Sequence, residues 1–470
     1  MKLRKRKKYF LLLLSAPIFF SIMTKRPEGT SIESSYKGAS ALTFLYDLTY
    51  EKNGEIIKEQ NILSAELDMI EQAENFILLD LFLYNDAYNK QTEIYPQTTK
   101  IITDALIAKK KQKPEMDIIF ITDPINGFYG AYEEKNAKAM KENGIVVIET
   151  DLDKLKDSNV LYSGYYRFLV NPFGNNGKGW IKNPMDETAP DVNIRSILKL
   201  ANFKANHRKT LITEKEALIA SANPHDASSY HSNVAVRFQS DVIQQMIEGE
   251  RTVADFSGTV LPNLVYKGTA NTYLPEVQVR YLTERGIFNG LIQNIQQAQK
   301  GDSIYIGIFY ITDFDLLDAI EEADKRGVSI YIVADPNKDA FGIKKDGSPN
   351  RTVLTQLHKK SENIQIRWYD THGEQYHTKM AYFDLKQKNV VILGSGNYTR
   401  KNLKGYNLEA DLEIVTSKEN AFSKEVFDYF QRIWQNQSGN YTVPFENYEE
   451  NSIIKKWIYY IQETTGLCTY

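Results

Sequence analysis

The sequence predicts an α/β fold made of two similar halves that share one active site. Stretches with helical spacing alternate with short apolar runs, which is typical of parallel strands joined by crossover helices. This alternation occurs twice along the chain, and each copy ends in a His-x-Lys motif. The length of 470 residues also exceeds the roughly 250–300 residues at which single cores stop growing. We therefore expect a duplicated unit.

The repeated elements can be paired along the chain. In the first half, apolar residues at helical spacing over 62–73 lead into a buried strand over 76–83. In the second half, the same pattern covers 291–298 and 304–310. The remaining paired elements are predicted helices at 104–111 and 316–326 and predicted strands at 118–122, 145–148, 330–334 and 364–368.

The duplication indicates where the halves begin and end. The separation of Asp123 from Asp335 exceeds that of His207 from His377 by 42 residues, so the first half carries an insertion. Two glycines and a proline between 255 and 272 favour a linker. The predicted divisions are a signal peptide or membrane anchor (1–30), a first half (40–250) with its insertion at about 152–205, a linker (251–275), a second half (276–440) and a C-terminal tail or helix (441–470).

Two short motifs close each half. Residues two apart on a strand face the same side, so the His and Lys of His-x-Lys project together into one cleft. A returning strand brings Ser-x-Asn to the same edge. The motif residues are His207, Lys209, Ser221 and Asn223 in the first half, and His377, Lys379, Asp384, Ser395 and Asn397 in the second.

These motifs resemble the paired HKD motifs of the phospholipase D superfamily, and through the repeated units the resemblance covers about 41–435. It implies two tandem phospholipase D-like α/β/α sandwich halves, related by pseudo-two-fold symmetry, with one shared active site. The first copy departs from the motif at Glu214, which replaces an aspartate, and at Ala220, which replaces a glycine.

The residue types suit the cleavage of a phosphodiester, an anion that resists attack. One neutral histidine can attack phosphorus while the other, protonated, donates to the leaving oxygen. Lysines stabilise the charge on the non-bridging oxygens, and asparagines add neutral donors. The pattern implies no metal and no cofactor.

An asymmetry between the halves suggests which histidine attacks. Glu409 follows Asn397 by twelve residues, whereas Ala235 stands at that spacing after Asn223, so His377 lacks this partner unless Asp226 substitutes. The resemblance implies that such a carboxylate orients the histidine of the other half, which makes His207 the nucleophile. The predicted catalytic residues are His207, Lys209, Asn223, His377, Lys379, Ser395, Asn397 and Glu409, and the predicted substrate-binding residues are Ser221, Asp384 and Glu214.

Four further histidines match no motif position. His225 and His231 follow Asn223 closely and could line the cleft, although surface or capping roles are the ordinary reading. His358 and His372 are expected outside the site.

Charge and the N-terminus favour a lipid substrate. The net charge of −3 gives no broad basic surface for nucleic acid, which makes nucleic acid an unfavourable partner. Six basic residues before the apolar run 9–23 predict secretion or anchoring at the outer face of the cell membrane. Aromatic residues of the insertion fit either a membrane interface or core packing, and the segment 453–461 is expected to be a packed terminal helix.

The sequence leaves four functions open. The leading hypothesis is a monomeric phospholipase D-type enzyme at a membrane surface, which passes a phosphatidyl group to water or an alcohol through a phosphohistidine. The alternatives are a cardiolipin synthase, a secreted nuclease that works without metal, and a non-catalytic lipid-binding protein.

Overall fold

The computed structural model describes residues 15–88, 90, 94–175, 178–186, 188–268, 274–340, 343–361, 363–468 and 470. The basic residues and the first part of the predicted signal peptide or anchor (1–14) lie outside the described residues. In the described part, one mixed sheet of sixteen strands runs through both halves of the chain.

The first half contributes eight of these strands. In chain order they are β1 (Lys37–Lys52), β2 (Glu55–Glu59), β3 (Phe76–Leu81), β4 (Asp117–Thr122), β5 (Val146–Glu149), β6 (Lys209–Thr213), β7 (Ala217–Ala220) and β8 (Asn233–Ser240).

The second half contributes the other eight and a separate two-stranded ribbon, β12–β13. In chain order its strands are β9 (Leu274–Thr283), β10 (Ser303–Ile308), β11 (Ser329–Ala334), β12 (Asp339–Ala340), β13 (Ile343–Lys344), β14 (Gln365–Tyr369), β15 (Lys379–Asp384), β16 (Asn389–Gly394), β17 (Ala410–Thr416) and β18 (Thr442–Pro444).

Read outward from the centre, the first seven strands follow the same order in both halves, and β18 is an additional edge strand of the second half. The order is β18-β14-β11-β10-β15-β16-β17-β9-β1-β8-β7-β6-β3-β4-β5, with β2 paired to β1. The halves join where β1 and β9 pair antiparallel, between Lys37 and Val279 and between Gly38 and Gln278. The α/β class is confirmed. The pseudo-two-fold axis stays a prediction. Such an axis would require corresponding strand orders in the two halves.

Helices connect the parallel strands and flank the sheet. They are α1 (Ile62–Gln72), α2 (Thr98–Gln112), α3 (Lys135–Glu142), α4 (Val160–Leu169), α5 (Ile194–Leu200), α6 (Val242–Phe256), α7 (Arg285–Gln297), α8 (Phe314–Lys325), α9 (Asn350–Lys360), α10 (Arg400–Leu403), α11 (Ala421–Trp434) and α12 (Ile453–Thr465). None of the described helices is long and apolar enough to span a membrane.

The boundaries differ in detail from the sequence prediction. Helix α6 continues to Phe256 and β9 begins at Leu274, so the predicted linker 251–275 overlaps an element at each end. The insertion holds α4 and α5. Residues 15–23 are helical, and the Ser21 hydroxyl donates to the Asp157 carboxylate at 2.8 Å, so this helix is attached to the insertion.

The largest apolar cluster belongs to both halves. Phe44 of β1 packs edge-on against Tyr429 of α11, with ring centroids 5.2 Å apart. Val236 of β8 and Leu412 of β17 are fully buried in the same cluster. Because this core is shared, the two lobes are joined at the centre by apolar packing as well as by the sheet.

A buried arginine also crosses between the halves. Arg208, the middle residue of the first His-x-Lys motif, is fully buried and pairs with Glu250 at 3.1 Å and with Glu284 at 3.0 Å. Glu284 precedes α7 in the second half, and its carboxylate also accepts the backbone N–H of Glu409 at 3.1 Å. The start of β6 is thereby tied to both halves.

Replacement of Arg208 should destabilise the whole fold. Arg208→Met would leave the carboxylates of Glu250 and Glu284 buried without their cation, at a cost of about 3–5 kcal/mol. Urea denaturation followed by tryptophan fluorescence measures this loss. The control Lys325→Met removes a cation whose partner Glu322 is exposed, and it should leave the midpoint unchanged. Equal midpoints for the two variants would contradict the bridging role of Arg208.

Candidate active site

His207 lies two residues before β6 and is held by the second half. Its backbone N–H donates to the carbonyl of Leu408 at 2.8 Å. Its ring Nδ1 lies 2.9 Å from Oε2 of Glu409, a fully buried carboxylate at the start of β17. Ser395 and Asn402 also donate to Glu409. These bonds fix the carboxylate and leave Nε2 as the ring nitrogen of His207 that can meet a substrate.

His377 is held by the first half in the corresponding way. Its Nδ1 lies 3.1 Å from Oδ1 of Asn233 at the start of β8, and the Ser221 hydroxyl donates to the same oxygen at 3.0 Å. The backbone N–H of Ser232 donates to the carbonyl of Gln375 at 2.9 Å. Each histidine is therefore positioned by a side chain of the other half.

Asn233 is the counterpart of Glu409, and the sequence count missed it. The register shows the equivalence, since Ser221 N–H donates to the carbonyl of Val234 and Ser395 N–H donates to that of Ala410. The connection after Asn223 is two residues shorter than the one after Asn397. Counting by twelve residues therefore selected Ala235, and that prediction was wrong.

Asp226 does not serve as the partner of His377. Its carboxylate accepts the backbone N–H of Thr99, at 3.0 Å, at the start of α2. If the pairing of β7 with β8 had been known, strand register would have pointed to Asn233. That pairing depends on the length of the loop between the two strands, which local sequence does not give.

The two lysines follow one pattern. Nζ of Lys209 donates to the carbonyl of His207, and Nζ of Lys379 donates to that of His377, both at 2.6 Å. Both lysines are almost completely buried. Each ammonium thus lies beside the histidine of its own motif.

A phenylalanine supports each His-Lys pair. The Phe82 ring is centred 4.7 Å from that of His207 and 5.1 Å from Nζ of Lys209. Phe309 stands 4.9 Å from the His377 ring and 5.1 Å from Nζ of Lys379. These rings follow β3 and β10. Their apolar character gave no signal in the sequence beyond strand propensity.

The repeated aspartates hold the backbone just before each histidine. Asp123 accepts the N–H of Asn206, and Asp335 accepts that of Tyr376, both at 2.7 Å. Burial raises the pKa of Asp123 to about 7 and that of Asp335 to about 6, and these backbone donors oppose the shift. Both carboxyl groups therefore serve to place the histidines.

The electrostatics indicate a single pocket. Burial lowers the pKa of His207 well below its usual range, and the charges of Lys209 and Lys379 lower it further. Burial also lowers the pKa of His377. The charges of Lys379, His231, Lys209 and His207 lower it further, in that order. Because each lysine acts on both histidines, the four groups are close enough to interact at the junction of the halves.

The two lysines of the pocket are buried, and the nearby carboxylates only partly offset the effect of burial on their pKa values. Burial lowers the pKa of Lys209 to about 7, and it lowers that of Lys379 well below its usual value, with Lys209 adding repulsion. Burial raises the pKa of Glu409, although Lys209 opposes it. An anion between the ammonium groups would relieve this strain.

The two motif asparagines are both buried. Oδ1 of Asn223 accepts the backbone N–H of Leu83 at 3.5 Å. Oδ1 of Asn397 is buried and has no hydrogen-bond partner among the described residues.

The three residues predicted to bind substrate have other positions. Ser221 holds Asn233. Asp384 pairs with Lys418 at the far end of β15, about 17 Å along the strand from Lys379. Glu214 accepts the backbone N–H groups of residues 74–76 beyond the end of β6. The prediction that Asp384 and Glu214 contact the substrate is therefore wrong, because both carboxylates stabilise turns remote from the histidines.

One of the four extra histidines adjoins the site. The His231 ring is centred 5.8 Å from that of His377, and its Nδ1 accepts the backbone N–H of Gln375 at 3.2 Å. His225 is also buried, with Nδ1 at 2.9 Å from the hydroxyl of Ser228. His358 contacts the carbonyl of Ile364 outside the site, and His372 lies between Asp370 and Glu374.

Comparison with known proteins agrees with this geometry. Residues 291–434 match the family model described as "Cardiolipin synthase, PLD-like domain". This half of the chain is a phospholipase D-like domain. The superfamily predicted from the two motifs is thereby confirmed, as is an enzyme of the phosphodiesterase or phosphatidyltransferase kind. No curated protein matches the chain.

One solved structure extends the likeness in fold to both halves. Phosphatidylserine synthase of Haemophilus influenzae Rd KW20 is similar at a TM-score of 0.59 and 12% identity, over 92% of this chain and 95% of that one. This similarity shows that the phospholipase D-like fold covers nearly the whole chain. Polyphosphate kinase of Porphyromonas gingivalis matches at a TM-score of 0.44 and 12% identity, over 91% of this chain and 53% of the other.

A change of charge at Asn233 should alter His377 selectively. In Asn233→Asp, the new carboxylate stabilises the imidazolium form, so the pKa of His377 rises by about one unit or more. If His377 acts as the acid, the alkaline limb of the kcat profile moves to higher pH. The acidic limb set by His207 stays in place.

The matched change is Glu409→Gln, which removes the carboxylate from His207. The pKa of His207 should fall in this variant. The acidic limb of the kcat profile should therefore move to lower pH, while the alkaline limb stays in place. Profiles of kcat against pH for the two variants measure both shifts. Movement of the same limb in both variants would overturn the reciprocal assignment.

Proposed function

We propose that this protein transfers the phosphatidyl group of a phospholipid to water or an alcohol through a phosphohistidine at His207. The observation that carries the proposal is the pair of buried histidines, each held at Nδ1 by the other half beside two lysines. Support for a lipid comes from the family model, which is named for cardiolipin synthase, and from the fold shared with a phosphatidylserine synthase.

In the first step, Nε2 of His207 attacks phosphorus. A P–N bond forms while the P–O bond to the head group breaks, and the departing oxygen takes a proton from His377. Glu409 accepts from Nδ1–H of His207 and stabilises the positive charge that grows on this ring.

The phosphate charge also prepares the acid. Burial lowers the pKa of His377, and the charges of Lys379 and Lys209 lower it further. An anionic phosphodiester between these lysines offsets their effect, so substrate binding favours the protonated form of His377. The acid is thus charged when a leaving group is present to receive its proton.

In the second step, His377 takes a proton from water or an alcohol. The resulting nucleophile attacks phosphorus, the P–N bond breaks and His207 leaves as a neutral ring. His377 must both give and accept a proton, and the neutral amide of Asn233 suits it because an amide does not lock the imidazolium form. A carboxylate suits the nucleophile, which must carry positive charge in the intermediate. The side-chain difference thus supports His207 as the attacking residue.

The proposed setting is the outer face of the cell membrane, with the protein secreted or anchored there as a monomer. Six basic residues followed by the apolar run 9–23 support this location.

A chromogenic aryl phosphodiester should separate the two histidines. Its aryl leaving group departs as an anion without a proton, so His377→Ala should still release one equivalent of product per enzyme. The variant should then stall, since water cannot be activated, and intact-mass measurement should find the adduct on His207. His207→Ala should give neither burst nor adduct. A burst in His207→Ala would overturn the assigned nucleophile.

Fluorescent phosphatidylglycerol, with and without glycerol, tests the substrate class. Turnover in EDTA that is lost in both histidine variants supports the proposal, and the product distinguishes hydrolysis from transfer to glycerol or to a second phosphatidylglycerol. Cleavage of DNA in EDTA with no turnover of the lipid would favour a nuclease. Vesicle binding without any turnover would favour a non-catalytic protein.

A further inference from the structure

The terminal helix α12 turns its apolar face away from the protein. Its buried residues are Tyr459 and Glu463. The apolar residues at positions that share the opposite face are exposed by 46–72%, whereas a packed amphipathic helix buries such a stripe. These residues are Ile453, Ile454, Trp457, Ile458 and Ile461.

Hydrogen bonds to the buried face determine this orientation. The Tyr459 hydroxyl donates to the carbonyl of Thr312 at 2.8 Å. The Glu463 carboxylate accepts the backbone N–H of Arg400 at 3.2 Å. Rotation of the helix to bury its isoleucines would break both bonds, so the exposed stripe is built into the fold.

A second apolar region lies on residues 15–23, which pack on α4, and the start of α4 contacts the end of α12. In the helical residues 15–23, Phe19, Phe20, Ile22 and Met23 are each more than half exposed. Phe20 packs against Phe168 of α4, with ring centroids 5.5 Å apart. Helix α4 begins just after Ser158, whose carbonyl lies so close to Gly466 that a side chain there would collide with it. The end of α12 therefore meets the start of α4.

The same segment leads to the active site. Beyond α12, Cys468 and Tyr470 form a buried cluster with Phe309 and Tyr310. The Tyr310 and Tyr470 rings are 5.9 Å apart, and Phe309 is the ring that supports His377. The exposed stripe is thus linked to the catalytic pocket through a few packed side chains.

We propose that the exposed apolar residues of α12, with those of residues 15–23 and α4, form a surface that inserts into a lipid bilayer and presents the pocket to it. Large exposed apolar patches mark interaction surfaces, and a helix with apolar and aromatic residues beside lysines suits the plane of a membrane interface. Lys455 and Lys456 border the stripe, with Trp457 and Tyr460 beside them.

The chain outside the described residues supports a bilayer as the occupant. Residues 9–14 read Tyr-Phe-Leu-Leu-Leu-Leu after a basic segment, and they lead directly into the helical residues of this surface. An apolar segment that enters the bilayer would bring residues 15–23 against it. The proposal rests on the proposed phospholipid substrate and names the surface through which that substrate would arrive.

A fluorescent label on α12 tests insertion independently of the N-terminal segment. In the full chain with Cys468→Ser, the variant Ile454→Cys carries an environment-sensitive dye, and Val260→Cys is the control because Val260 is 85% exposed and lies outside the surface. With phosphatidylglycerol vesicles, emission at position 454 should shift to the blue while that at 260 should not. Vesicle binding without a shift at 454 would overturn the proposal.

Kinetics separate this surface from the chemistry. Ile454→Ser with Trp457→Ser and Ile461→Ser should lower turnover of vesicle phosphatidylglycerol at least about ten-fold and leave turnover of a monomeric short-chain analogue unchanged. The matched control is Ile101→Ser with Val260→Ser and Val265→Ser, which should change neither rate. Equal rates of the α12 variant and the control on vesicles would overturn the surface.

Two further results distinguish the hypotheses. His207→Ala should keep the dye shift, so a shift without lipid turnover in the native enzyme would reject the proposed function and support the surface. Light scattering reports the oligomeric state. A native dimer that becomes monomeric in the α12 variant would show that a second copy covers this face, which would overturn the bilayer as its occupant.

Discussion

A hydrogen bond from the opposite half of the chain positions each histidine of the pocket. Glu409 of the second half holds Nδ1 of His207, and Asn233 of the first half holds Nδ1 of His377. Neither half can therefore orient its own histidine. The shared apolar core and the junction of β1 with β9 serve this exchange, because small displacements between the halves would break both bonds.

In the proposed function, the burial of two lysines prepares the pocket for an anionic substrate. Lys209 and Lys379 are withdrawn from water, and each lowers the pKa of both histidines. Buried cations placed close together repel each other, and an anion beside them reduces this repulsion. Under the proposed function, folding places these cations where charge would develop in the transition state.

The two orienting side chains differ in charge, so the two histidines of the pocket have different electrostatic surroundings. A carboxylate at one ring and an amide at the other make the histidines unequal although their lysines, phenylalanines and aspartates correspond. Arg208 belongs to the same arrangement, since it links Glu250 to Glu284, which in turn holds the backbone of Glu409. The residue between the motif histidine and lysine is thus part of the support for the cross-half contact.

The amino-acid sequence alone determined the repeated elements, the α/β class and the two His-Lys pairs, whereas the role of Glu409 was predicted from the family resemblance. These features depend on local periodicity and on short motifs, in which neighbours along the chain are neighbours on a strand. The same reasoning failed for Glu214 and Asp384, since a carboxylate five residues beyond the lysine can lie at the remote end of the strand.

Only the tertiary structure decided which residue holds His377 and which face of α12 is exposed. Asn233 corresponds to Glu409 through strand register across a loop of different length, and register is set by pairing between distant segments. The periodicity of α12 predicts two faces, but contacts with Thr312 and Arg400 decide which one is buried. The physical reason is common to both cases: hydrogen bonds between residues far apart in the chain outweigh the local preferences that a sequence displays.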